Sequence, residues 1–164
     1  MKQTYRVIAG LIALGVFVQA AAIAFGWFDA ISELDKGLVI DENYEGNVGH
    51  MLHGTVGMMV MPALGLILLI VSFFAAKVVP GARAWGGIVF GLIVLQVVLG
   101  IVAFSAPIIG ALHGVNALLL FGSAGRAAML TRDGARPAGA APAPGAVPSQ
   151  RSGTSSAGSY SRSE

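Results

Sequence analysis

The sequence predicts an all-α fold, a bundle of four transmembrane helices. Hydrophobic residues make up 55% of the 164 residues and charged residues only 11%, whereas about a quarter of the residues in a soluble domain are charged. Four apolar segments are each about twenty residues long, enough to cross the hydrocarbon core as helices. The alternating pattern of membrane barrel strands is absent, so helices are expected to satisfy the backbone amides in lipid.

The predicted spans follow one another along the chain. They cover residues 7–28, 51–76, 84–104 and 107–130, which with the external loop 29–49 form one transmembrane domain over residues 1–131. Trp27 and Phe28 end the first span as an interfacial anchor. The chain up to Ala20 has features of a cleaved signal peptide, but its apolar run continues beyond the usual length. The loop is predicted to be irregular apart from a short amphipathic helix over residues 30–36.

Local signals set the limits of the later elements. Asn47 is a candidate N-cap for the second span, and Pro62 is expected to kink that span. Pro107 is tolerated in the first turn of the fourth span, where the amide it lacks would be unpaired. From residue 132 to residue 164 the chain is mostly Ala, Pro, Gly, Ser and Arg, and this composition predicts a disordered cytoplasmic tail.

The charged residues are sorted by side, and this predicts the orientation. The loop 29–49 contains six Asp and Glu residues and a single lysine, Lys36. Most of the basic residues lie before the first span, between the second and third, and after the fourth: Lys2, Arg6, Lys77, Arg83, Arg126, Arg132 and Arg136. Because Lys and Arg collect in short cytoplasmic loops, both termini are predicted to face the cytoplasm.

Several classes of function are disfavoured. No basic patch carries interleaved aromatic residues, so nucleic acid is not an expected partner. The absence of cysteine excludes disulfides, thiolate metal sites and thiol catalysis. A transporter or channel is weakly supported because no charged residue lies deep within a span. His50 is the one candidate catalytic base, no nucleophile accompanies it, and whether the protein is an enzyme stays open.

The four spans also look like two copies of a helical hairpin. The first and third spans each contain one glutamine, Gln19 and Gln96, while the second and fourth contain matching Leu-His-Gly triplets centred on His53 and His113. The two hairpins would have the same orientation, which predicts a pseudo-twofold axis along the membrane normal. Such an axis would place the two histidines at equal depth on facing helices.

Two facing histidines in a membrane bundle predict a cofactor site. Neutral imidazoles are suitable axial ligands for a b-type haem, and His53 and His113 are the expected ligands of its iron. His50 lies one helical turn from His53 and would cap the site or contact a propionate. The flat macrocycle would be accommodated by small or polar neighbours on the two helices: Gly54, Gly57, Gly110, Gly114 and Asn116.

A structural interpretation of these residues competes with the cofactor site. His53 and His113 would then hydrogen-bond to each other, to Gln19 or Gln96, or to water, and hold the helices together. The methionines of the second span are possible metal ligands in principle, but in an apolar helix they more often fill gaps.

At these residues the chain resembles one four-helix half of the haem A synthase family. The run Leu-Gln-Val-Val-Leu-Gly at 95–100, followed by Leu112-His113, is similar to the third and fourth helices of that half. His50 and His53 occupy the place of its Glu-x-x-His motif. The chain is also similar to small four-helix bacterial membrane proteins with the same His and Gln pattern. The resemblance implies a bacterial plasma membrane location and haem ligation by His53 and His113. It does not extend to the family's glutamate, to the arginine that stands where this chain has Gly54, or to its cysteines.

Two functional hypotheses follow. In the first, the protein binds one b-type haem near the external face for electron transfer or haem handling. In the second, it is a cofactor-free accessory subunit that packs through glycine-rich helices against a larger membrane complex, such as a respiratory one.

Overall fold

The computed structural model describes residues 1–133, and this part of the chain is entirely helical apart from its turns and loops. The elements are α1 (Lys2–Leu34), α2 (Val48–Thr55), a π-helical turn (Val56–Val60), α3 (Met61–Ala75), α4 (Ala82–Ala103) and α5 (Ile108–Asp133). Residues 48–75 act as one span, so four helices in the described chain are long and apolar enough to cross a membrane. The prediction of an all-α fold with four membrane-spanning helices is confirmed.

Helix α1 is longer than the sequence predicted. It runs for 33 residues, or about 50 Å, whereas the hydrocarbon core is about 30 Å thick. The short helix predicted over residues 30–36 is the continuation of α1, which ends at Leu34. Gly37 then adopts a φ of 100°, and the amide of Leu38 donates to the carbonyl of Glu33, so a left-handed glycine terminates the helix. Glu33 also pairs with Lys36 at 2.7 Å, and this hydrogen bond raises the pKa of the lysine.

The second span contains a bend whose cause is visible in the backbone. Pro62 has no amide hydrogen to donate to the carbonyl four residues earlier, and its ring crowds that carbonyl. The preceding residues form the π turn, in which the amide of Met61 donates to the carbonyl of Val56. One extra residue in the turn relieves the crowding, so the kink predicted at Pro62 takes the form of a π bulge just before it.

The four spans pack as a square in which each span contacts two others. Helix α1 packs against α2, α3 and α5, and α4 packs against α3 and α5. The span containing α2 and α3 and the span formed by α5 therefore occupy opposite corners. One large apolar side chain from each span is fully or almost fully buried in the centre: Ile12, Leu68, Ile93 and Leu120.

Close helix contacts are made at small residues. A Cβ atom added to Gly49 of α2 would lie 2.5 Å from the backbone nitrogen of Gly26 in α1, and one added to Gly86 of α4 would lie 2.6 Å from the Ser72 side chain in α3. Without a hydrophobic drive between helices in lipid, such close backbone approach supplies much of the packing energy. The outer surface is strongly apolar, with Phe17 and Leu118 at 68% and 73% exposure, as expected of helices in contact with a bilayer.

Helix α5 continues through Asp133, two residues into the segment predicted to be a tail. The remainder of that segment, residues 134–164, lies outside the described residues.

Candidate cofactor site

His53 and His113 meet across the centre of the bundle. They project from the two spans that occupy opposite corners, and their ring centroids are 6.1 Å apart with an angle of 63° between the ring planes. Each lies between one and two turns from the start of its helix, at the end of the bundle that carries the acidic loop. The fold therefore brings together the two histidines that the sequence paired.

Both imidazoles are held by the same kind of hydrogen bond. Nδ1 of His53 lies 3.1 Å from the backbone carbonyl of Gln19, and Nδ1 of His113 lies 3.0 Å from the backbone carbonyl of Gln96. A carbonyl oxygen only accepts hydrogen bonds, so Nδ1 carries the proton in each ring. In the neutral imidazole the lone pair is then at Nε2, the state in which a histidine binds a metal.

The two Nε2 atoms differ in their surroundings. Nε2 of His113 accepts a hydrogen bond from the side-chain amide of Gln96 at 3.0 Å. Asn116 orients that amide, because its own amide donates to Oε1 of Gln96 at 2.6 Å and to the carbonyl of Leu92 at 2.9 Å. In residues 1–133, Nε2 of His53 has no hydrogen-bond partner.

The glycines near the histidines fall into two groups. A Cβ atom on Gly54 or Gly114 would meet no atom within 4 Å, and one on Gly110 would only touch Ala103 at 4.0 Å. Gly57 was predicted to leave room for a macrocycle, but a Cβ there would lie 3.3 Å from Oε1 of Gln19, so it accommodates a glutamine. Gly54 and Gly114 are exposed and Gly110 is half-buried, so the open space beside Gly54 and Gly114 lies at the outer surface of the bundle.

Gly100 is a further residue of the site that the sequence did not single out. A Cβ atom at this position would lie 3.2 Å from Cε1 and 3.3 Å from Nδ1 of His113. It is one turn after Gln96, the residue whose carbonyl holds this ring, and the missing side chain lets the imidazole reach the helix backbone. The spacing of Gln96 and Gly100 on one helix face was the available signal.

Two buried polar atoms beside the histidines lack partners. Nε2 of Gln19 and Oδ1 of Asn116 are inaccessible to solvent and make no hydrogen bond within the described chain. Buried polar atoms are nearly always paired, so each needs a water molecule or another polar group as its partner. Both residues belong to the hydrogen-bond network of the imidazole pair, through the backbone carbonyl of Gln19 and the side-chain amide of Asn116.

His50 lies apart from this pair and has a different task. Its ring Nδ1 lies 2.9 Å from Oδ1 and 3.3 Å from the backbone nitrogen of Asn47. Oδ1 of Asn47 also accepts hydrogen bonds from the backbone amides of Gly49 and His50. Asn47 is therefore the N-cap predicted from the sequence, in a reciprocal arrangement that satisfies the free amides at the start of α2. Its side-chain amide also donates to the carbonyl of Gly26 and to the carboxylate of Asp29, both at 2.8 Å.

This arrangement clamps the end of the acidic loop against α1. The His50 ring packs edge-on against Trp27 at 5.0 Å and Tyr44 at 6.0 Å, and its Nε2 is buried without a partner. The loop clamp formed by Asn47 and Asp29 was missed from the sequence, because the aspartate lies 18 positions before the asparagine and part of the intervening chain is irregular loop.

The methionines of the second span do not form a ligand set. Met61 is 5% exposed and packs in the core beside Gly15, while Met58 and Met59 are exposed on the outer surface. No group of three or more His, Asp or Glu residues converges on a point in the part of the chain that the structure describes. A haem iron, in contrast, needs only two axial imidazoles.

The fold and these residues define a four-helix membrane protein with two oriented histidines in its core. Comparisons with models of protein families, with curated proteins and with solved structures found no match to this chain.

Proposed function

We propose that this protein binds one b-type haem, with His53 and His113 as the axial ligands of the iron. The observation that carries the proposal is the matched pair of hydrogen bonds from Nδ1 of each ring to a glutamine carbonyl. Histidines that bind metals usually donate their second ring nitrogen in this way, because the bond fixes the tautomer and the orientation of the ring.

The distance between the rings supports the same proposal. To hold one iron between them, His53 and His113 would need to lie side by side in the bundle core. The observed separation is 6.1 Å.

The residues of this site would perform distinct tasks. The carbonyls of Gln19 and Gln96 hold the rings, and Gly100 permits the approach of His113. The side-chain amide of Gln96 occupies Nε2 of His113, so it must leave that atom before a metal binds there. A bound haem would supply one-electron redox chemistry, and the apolar helices around it would exclude water. Electron transfer and haem handling are the activities that suit such a site, the second by resemblance to haem A synthase.

The topology proposed with this function follows from charge. The basic residues at the start of α1, around the turn between α3 and α4, and in α5 lie at one end of an alternating bundle, and the acidic loop lies at the other. We therefore place both termini in the cytoplasm of a bacterium and the histidine pair near the external face of the plasma membrane. The equivalent hydrogen bonds of His53 and His113 favour two hairpins related by a pseudo-twofold axis.

The test is a reduced-minus-oxidised absorption spectrum of protein purified in detergent from haem-replete cells. We expect a b-type spectrum in the wild type and its loss in His53→Ala and His113→Ala. The matched control is His50→Ala, the third histidine of the chain, which should keep the spectrum because its ring serves the loop clamp. Folded wild-type protein with no haem band, even after addition of hemin, would refute the proposal.

The second candidate function is that of a cofactor-free accessory subunit. It is favoured by the hydrogen bond that Gln96 donates to His113, which satisfies that ring without a metal. In this case His53→Gln and His113→Gln would leave thermal stability and co-purification with partner subunits nearly unchanged. Neither the wild type nor any variant would show a haem signal.

A further inference from the structure

A groove at the opposite end of the bundle has no part in the candidate cofactor site. It has a volume of about 340 Å³ and lies between the start of α1 and the end of α5, which pack against each other. The residues that line it are Arg6 and Gly10 of α1 and Gly125, Ala128, Met129 and Arg132 of α5. The spacings within each helix place these residues along a single face.

Two glycines keep this groove open. A Cβ atom built on Gly10 or on Gly125 would meet no atom within 4 Å, so the space beside each is not filled by another side chain. Glycine lowers the stability of a helix interior by about 1 kcal/mol relative to alanine. Any larger side chain at these two positions would therefore extend into the groove.

Arg6 and Arg132 place positive charge at the two sides of the groove. In the part of the chain that the structure describes, no carboxylate forms an ion pair with Arg6 or Arg132. A guanidinium binds phosphate through two parallel hydrogen bonds and is the preferred residue for such groups. The start of α1 adds the partial positive charge of a helix N-terminus.

The groove also opens onto the apolar outer surface. Met129 in its lining is 54% exposed, and Leu14, one turn beyond Gly10 on the same face of α1, is 59% exposed. A ligand that fits both parts has an anionic head and an apolar tail. A free phosphate ester would use only the arginines and leave the apolar part of the groove unused.

We propose that this groove binds one anionic phospholipid, with its phosphate between Arg6 and Arg132 and its acyl chains along Met129 and Leu14. Basic pockets between transmembrane helices are suited to such headgroups. The inference is independent of the proposed haem, because it involves the other end of the molecule.

The experiment is native mass spectrometry of the full-length protein in detergent, titrated with phosphatidylglycerol. We expect one lipid to bind in preference to zwitterionic phosphatidylcholine. Arg6→Gln and Arg132→Gln should each lower the affinity for phosphatidylglycerol about five-fold, because each removes the attraction of one interfacial arginine to an anionic headgroup. Gly10→Leu keeps every charge and fills the groove, and it should weaken binding to a similar extent.

Arg83→Gln is the matched control. It removes the same charge from the same end of the bundle, but its guanidinium lies over the Phe73 ring at 5.4 Å, away from this groove, and binding should be unchanged. An equal loss in Arg83→Gln would show general electrostatic attraction and overturn the site. Full binding in Gly10→Leu would overturn it as well, and displacement of the lipid by millimolar glycerol 3-phosphate would show a site for soluble phosphate esters instead.

Discussion

Replacing Gln96 with leucine separates the cofactor interpretation from the structural one. The amide of Gln96 donates to Nε2 of His113 at 3.0 Å, the atom that the haem iron would use. This hydrogen bond therefore exists only in the haem-free protein. Its removal destabilises the haem-free form and leaves the haem-bound form unaffected, so Gln96→Leu should bind haem more tightly than the wild type.

The expected gain in haem affinity follows from the free energy that one interhelical hydrogen bond contributes. Such bonds contribute on the order of 1 kcal/mol in membrane proteins, which corresponds to about a five-fold change in affinity. In the variant, Asn116 loses its hydrogen bond to Gln96 in both the haem-free and the haem-bound protein, and it keeps its hydrogen bond to the carbonyl of Leu92. This loss therefore does not change the affinity for haem. The backbone carbonyl that holds Nδ1 of His113 is retained in the variant.

The assay is a titration of purified haem-free protein with hemin, followed by the Soret absorption. Gln19→Leu is the control, because the side-chain amide of Gln19 has no partner and only its backbone holds His53. The haem affinity of this variant should stay within about two-fold of the wild-type affinity, a smaller change than the loss of one hydrogen bond would cause. A weaker affinity for haem in Gln96→Leu than in the wild type would refute the assignment of Nε2 of His113 to the iron.

Two further predictions concern the packing and the loop clamp. Gly49→Ala should destabilise the protein by about 3 kcal/mol or more, because the new Cβ would meet backbone atoms of Gly26 at 2.5 and 2.6 Å. The control is Gly54→Ala, a substitution into open space, and equal melting temperatures of the two variants would contradict the prediction. Asn47→Ala should cost about 1 to 2 kcal/mol and speed amide exchange at the start of α2, measured by mass spectrometry. The control is Asn43→Ala, in the same loop with an exposed side chain, which should change neither the stability nor the amide exchange of α2. Equal exchange rates in the two variants would argue against the clamp.

The fold could be predicted largely from the sequence because membrane spans are determined by length and polarity. A run of apolar residues has to be helical in lipid, and the short breaks at residues 77–83 and 105–106 separate the runs. The limits were less predictable. Polarity marks where lipid ends and not where a helix ends, so α1 continues beyond Phe28 to Leu34.

The candidate site was predictable in its residues and not in its contacts. The matched triplets were sufficient to pair His53 with His113, and polar residues in the spans drew attention to the two glutamines. Backbone carbonyls carry no signal in a sequence, so the bonds that hold Nδ1 could not be foreseen. The position of Gly57 against Gln19 depends on the rotation of α2 and the π turn about their axis, and hydrophobicity does not fix that rotation.

The spin state of the ferric protein tests the central claim most directly. Two imidazole ligands make ferric haem low-spin, whereas a single imidazole leaves it high-spin. Electron paramagnetic resonance of the wild type loaded with one equivalent of hemin should therefore give a low-spin signal. His53→Ala and His113→Ala should each abolish this low-spin signal. A high-spin wild type, or a low-spin signal that survives both substitutions, would contradict ligation by this pair.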